Sequence, residues 1–111
     1  MKRNIVTRPF SLDATRFMTT LAARFAYTAN TVVPVVHLEL DSYNLRNGHV
    51  RLMGTVEYDG DEQPVQLDVE YSLTSTDQLN QRTYMELFPL FVGPYYDALE
   101  EIFGVDFNEY G

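Results

Sequence analysis

The stretch Thr31–Leu73, TVVPVVHLELDSYNLRNGHVRLMGTVEYDGDEQPVQLDVEYSL, decides the fold, because its apolar residues recur at every second position in three successive runs. In the first run Val32, Pro34, Val36, Leu38 and Leu40 are apolar while His37, Glu39 and Asp41 are polar. That is the period of a half-buried strand. In the second, His49 to Asp59, the set Val50, Leu52, Gly54, Val56 and Tyr58 alternates with Arg51, Thr55 and Glu57. In the third, Pro64 to Leu73, the parity inverts: Val65, Leu67, Val69, Tyr71 and Leu73 stand against Gln66, Asp68, Glu70 and Ser72.

The two connections account for the inversion. Arg46-Asn47-Gly48 suits a three-residue hairpin loop whose Gly48 takes the left-handed position and closes a bulge. It pairs Leu45 with His49, Leu38 with Val56 and Ser42 with Leu52. Asp59-Gly60-Asp61-Glu62 suits a two- or four-residue loop and pairs Val56 with Val65 and Leu52 with Val69. Even positions face even ones across the first turn and odd ones across the second, so one oily face runs through an antiparallel meander. Pro34 cannot donate to a ladder, which makes Thr31–Val35 a free edge or a strand start. Gly54, opposite Leu40 and Leu67, marks a bulge or a close approach by a helix side chain.

Helices flank the meander. After an arm over Met1–Phe10, with a short strand at Ile5 and Val6, Ser11 or Asp13 caps a helix running to about Asn30. Its buried stripe is Ala14, Phe17, Met18, Leu21, Ala22 and Phe25, with Arg16, Thr20, Ala23 and Tyr27 opposite. Beyond the sheet, Ser75 and Gln78 form a capping box for a helix through about Phe88, with Leu79, Tyr84, Leu87 and Phe88 as core contacts. Pro89 and Gly93-Pro94 break the segment 75–104, and Gly104 ends it. The fold class is α+β in the order α-β-β-β-α(-α): a three-stranded antiparallel meander with helices packed on one face.

At 111 residues with 45% hydrophobic content, the chain is read as one domain with a core. No apolar run reaches the roughly 20 residues of a membrane helix, and the basic start lacks the apolar core of a secretory signal. Zero cysteines exclude disulfides and thiolate metal sites and fit a cytoplasmic protein. The formal net charge is −8, with five bases against one acid up to Asn30 and three bases against fifteen acids after it. Nucleic-acid binding is therefore not expected, since phosphate recognition rests on clustered Lys and Arg.

Catalytic signatures are missing: there is no phosphate loop, no nucleophile elbow, and one lysine, Lys2. His37, Glu39 and Asp41 share a strand face with Glu57 opposite, a set capable of holding a metal. His49, however, lies eight residues along the next strand from Glu57, about 26 Å away, and a solvated polar face is the better reading. The pair Glu39 and Asp41 is equally a wet face rather than an acid–base couple. Asp59, Asp61 and Glu62 miss the spacing of a calcium loop. No catalytic residue, metal or cofactor is assigned.

What remains is surface. The outer sheet face carries Glu39, Asp41, Glu57, Asp68 and Glu70, with Arg51 facing Glu70. The first expectation is accordingly a non-catalytic interaction or regulatory module that meets a basic protein partner there. A charged face kept for solubility is the plainer alternative. Eight of the fifteen Tyr and Phe residues fall in the last 28 positions, more apolar cover than one face of three strands requires. This raises two further readings: a small-molecule binder or minor enzyme with a pocket between sheet and C-terminal helices, and a structural subunit that forms a homo-oligomer. Tyr84, Phe91, Tyr95 and Tyr96 are the candidate ligand or oligomer contacts. In topology the helix, three strands, helix order resembles double-stranded-RNA-binding domains, although Asp77, Gln78 and Asn80 stand where those domains place a basic cluster.

Overall fold

The computed structural model describes residues 12–46, 48–72 and 79–107. The Met1–Phe10 arm, the Ser11 cap and the Ser75/Gln78 capping box lie outside them. The order is α1 (Leu12–Val32), β1 (Val36–Arg46), β2 (His49–Tyr58), β3 (Asp61–Glu70), α2 (Gln81–Leu90) and α3 (Val92–Phe103). The strands form one antiparallel sheet in the order β1-β2-β3, the α+β meander that the alternation predicts.

The helix α1 buries Ala14, Met18, Leu21, Ala22, Phe25 and Ala29, spaced three and four apart, while Arg16, Thr20, Ala23 and Tyr27 stay exposed. It runs two residues past the expected stop, so Thr31–Val35 is not a strand edge. Pro34 sits instead in the turn between α1 and β1, closed by Val33 N–H donating to Ala29 O and Val36 N–H to Val33 O. Asn30, in the last turn of α1, then reaches the rim of β1. Its Nδ2 donates to Leu38 O at 3.0 Å and its Oδ1 accepts from Leu38 N–H at 2.7 Å. One side-chain amide thus takes the place of a fourth strand at that residue.

The first hairpin differs from its expected pairing in one respect. His37 faces Glu57 and Leu38 faces Val56 as read from the alternation, but the register slips between Leu40 and Ser42. The extra residue, Asp41, sits in mid-strand rather than at the turn, so Ser42 faces Met53 and Tyr43 faces Leu52. Arg46 then faces His49 across a tighter turn, with Gly48 at φ +77°. The bulge lies beside the Leu40–Gly54 pair, where a Cβ on residue 54 would stand 1.8 Å from Glu39 O. Gly54 therefore admits the backbone of β1, not a helix side chain.

The second hairpin takes the shorter of its two loops. Asp59 and Gly60 both have positive φ, +55° and +83°, the signature of a two-residue type I′ turn. Tyr58 faces Asp61 and Leu52 faces Leu67, two residues away from the expected register. Arg51 consequently faces Asp68 rather than Glu70, and Gly54 faces Val65. A shift of two preserves the face of every side chain. Leu38, Leu52 and Leu67 are all buried on one side with Val36, Val50, Val56, Val65 and Val69.

The sheet's other edge, β3, carries Pro64 opposite Thr55. A proline offers no N–H to an incoming strand. At the C-terminal end Pro89 lies in the last turn of α2, and the bend falls at Phe91, whose backbone stays helical at φ −81°, ψ −12°. Gly93-Pro94 causes no second break: it occupies the first turn of α3, where a missing N–H costs nothing. α2 starts under an Asn80 cap accepting from Thr83 N–H. Gly104 ends α3 at φ +71°. Tyr71 donates its hydroxyl to Glu86 Oε1 at 2.5 Å, tying the end of β3 to α2.

Candidate functional site

All three helices pack on the Leu52 side, which leaves the opposite face of the sheet as the surface on which the candidate residues gather. Because odd positions of β2 point outward, the register arranges that face in five rows across the strands. From the second hairpin towards the first they are His37–Glu57–Glu62, Glu39–Thr55–Pro64, Ser42–Met53–Gln66, Asn44–Arg51–Asp68 and Arg46–His49–Glu70.

The charge on this face is divided between its ends. At the second hairpin Glu57 faces Glu62 directly, Glu39 stands one row along, and the exposed His37 places Nε2 3.5 Å from Glu39 Oε2. Asp41 sits at the bulge, between the ends. At the first hairpin Asp68 accepts from Arg51 Nε at 2.9 Å and meets Arg51 Nη2 at 2.8 Å, while its other oxygen lies 2.7 Å from His49 Nδ1. The His49 hydrogen bond, seconded by Arg51, holds the Asp68 carboxyl below its ordinary value against the upward push of burial. Asn44, Arg46, His49 and Arg51 line a hollow of about 140 Å³ there.

The expected set Glu39, Asp41, Glu57, Asp68 and Glu70 is therefore not one acidic patch. Glu39 and Glu57 stay together, Asp68 is matched by two partners, and Glu70 faces His49. Sequence reasoning missed two charged members of the face. Glu62 joins because the shorter loop brings it into β3, and Arg46 joins because the bulge turns it outward. A signal for the bulge was present: apolar parity in β1 changes from even at Val36, Leu38 and Leu40 to odd at Tyr43 and Leu45, both of which pack against the core.

The four aromatic candidates lie in the helix layer. Phe91 and Tyr95 are fully covered and, with Phe88, surround the Phe25 ring at centroid distances of 5.4–5.9 Å. Tyr84 is buried under the Arg24 guanidinium, and Tyr96 is half-buried beside Tyr95. The space between sheet and C-terminal helices, where a pocket was expected, is filled by Leu67, Leu87, Phe91 and Leu99, all without solvent contact.

No group of three or more His, Asp or Glu side chains able to hold a metal occurs among the described residues. None of the described helices is long and apolar enough to cross a membrane. Comparison with protein-family models, with curated proteins and with solved structures finds no match.

Proposed function

We propose that the chain is a non-catalytic protein-binding module whose helix-free sheet face docks a basic partner at its second-hairpin end. The observation that supports this reading is the direct opposition of Glu57 and Glu62, with Glu39 in the next row and no Lys or Arg among these rows. Like charges directly opposite one another destabilise a sheet. A Lys- or Arg-bearing segment relieves that repulsion when it docks, and complementary fields speed and orient the encounter. Asp59 and Asp61, both exposed at the adjoining turn, extend the negative field. Cytoplasmic residence is part of the proposal and fits a chain without cysteine.

The test is affinity capture with the parent chain, with Glu39→Gln/Glu57→Gln/Glu62→Gln, and with Asp97→Asn/Glu100→Gln/Glu101→Gln on the exposed side of α3. The two variants lose the same charge from different surfaces. A partner retained by the parent and by the α3 variant, released by moderate salt and lost from the sheet variant, is the expected result. Equal retention by both variants sinks the reading.

A further inference from the structure

On the other side of the molecule, a groove of about 370 Å³ opens between α1 and the start of α2. α1 contributes Arg16, Phe17, Thr20 and Arg24 to it, and the other side Leu79, Asn80, Gln81 and Tyr84. Its size is at the small end of the roughly 300–1,000 Å³ of small-ligand sites, and its lining mixes apolar and polar side chains.

The groove's charge is anomalous for this chain. Asp and Glu outnumber Lys and Arg by 16 to 8, yet no carboxylate is found among the described residues that line it. Arg51 and Arg82 have found acidic partners, whereas Arg16 and Arg24 make no ion pair among the described residues. The acids of the sheet face lie beyond the core, and at physiological salt fields fade over about 8 Å. Among the described residues that line the groove, the two guanidiniums are the charged groups.

Arg24 is also held in place. Its guanidinium carbon lies 5.1 Å from the Tyr84 ring centroid. A guanidinium held over a ring face by its charge still has several N–H donors to offer an oxyanion. Arg16 stands eight residues earlier, roughly 12 Å along the helix axis, with the Thr20 hydroxyl between. A ligand bridging this wall offers an oxyanion to the arginines and rests an apolar body on Phe17, Leu79 and Tyr84.

We propose that this groove binds a small organic anion, a phosphate or carboxylate group carried on a ring-sized apolar body. The test is NMR titration of the full-length chain with phenyl phosphate and benzoate, following the Thr20 and Gln81 amides and the Arg Nε signals at constant ionic strength. Inorganic phosphate and phenol serve as half-ligands. Saturable shifts with phenyl phosphate or benzoate are expected, and the better of the two identifies the anionic group. Each half-ligand should bind at least about tenfold more weakly than the better ring-bearing anion. Arg16→Gln and Arg24→Gln should each weaken binding about tenfold, the loss of one charged hydrogen bond, and Arg24→Lys should fall between. Arg82→Gln, and the sheet variant Glu39→Gln/Glu57→Gln/Glu62→Gln, should bind as the parent does, which keeps this site separable from the docking face. Failure of both ring-bearing anions to saturate overturns the proposal. So does binding unchanged in Arg24→Gln, or inorganic phosphate matching them, the mark of an adventitious surface ion.

Discussion

Tyr95 buries a hydroxyl that meets no hydrogen-bond partner, alone among the described residues. The ring is 2% exposed and packs edge-on against Phe25, so its area is well used while its oxygen is stranded. An unsatisfied buried hydroxyl forfeits its hydration, about 1–3 kcal/mol. Burial also pushes the Tyr95 phenol well above its ordinary value. A group whose pKa is raised by folding adds stability that is complete below its unfolded value, about 10, and is lost as pH rises past it. Tyr95→Phe should therefore be as stable as the parent at neutral pH, or up to about 1 kcal/mol more so, and should lose less stability above pH ~10. Urea unfolding at neutral and alkaline pH measures both. A variant less stable at neutral pH would mean that the hydroxyl has a partner after all. The sequence offers Tyr95 as a candidate ligand or oligomer contact, but whether a hydroxyl finds a partner depends on neighbours that no local pattern names.

The elements show how this sheet guards its rims. Asn30 takes both backbone groups of Leu38 on β1, and Pro64 withholds a donor on β3, so neither edge offers an unbroken ladder to another chain. This favours the open face over the edges as a docking surface. Asn30→Ala should cost about 1–2 kcal/mol, because two partly buried backbone groups lose their partner, and the Leu38 amide should become the fastest-exchanging in the first half of β1. Unchanged Leu38 protection in hydrogen exchange would show that the clamp carries no weight. The rims were poorly legible in the sequence. Pro34 was read as the edge proline because apolar alternation appears to run back through Val32. In the structure those residues complete α1 and its turn, and helical packing of Ala29 and Val33 overrides the period-2 pattern. The strands themselves were legible because burial of one face forces alternation. Turn length was not, since Asp59-Gly60-Asp61-Glu62 fits either loop and both keep the same faces.

At the scale of the whole molecule, charge is divided within each layer. The helix layer turns Arg16 and Arg24 to solvent over a groove and Asp97, Glu100 and Glu101 to solvent on α3, while the sheet's outer face holds Glu39, Glu57 and Glu62 at one end and a matched His49–Asp68–Arg51 cluster, with Glu70, at the other. Alternation alone predicts an outer face of Glu39, Asp41, Glu57, Asp68 and Glu70 answered only by Arg51. The division follows from two facts of pairing, the Asp41 bulge and the short second turn, and each moved one charged residue onto the face. Of the candidate aromatics, Phe91 and Tyr95 are read from the sequence as ligand or oligomer contacts, whereas in the structure both are buried in the core. Three of the rings from the bent C-terminal segment, Phe88, Phe91 and Tyr95, gather around Phe25.

The bulge is what the charged face depends on, and cross-strand proton contacts in the full-length chain test it most directly. The account predicts NOEs that place Tyr43 opposite Leu52 and Leu45 opposite Val50, with Arg46 facing His49 across the turn. Contacts placing Ser42 opposite Leu52 and Leu45 opposite His49 would move the extra residue to the turn, swing Arg46 to the inner side, and contradict the division of the sheet face.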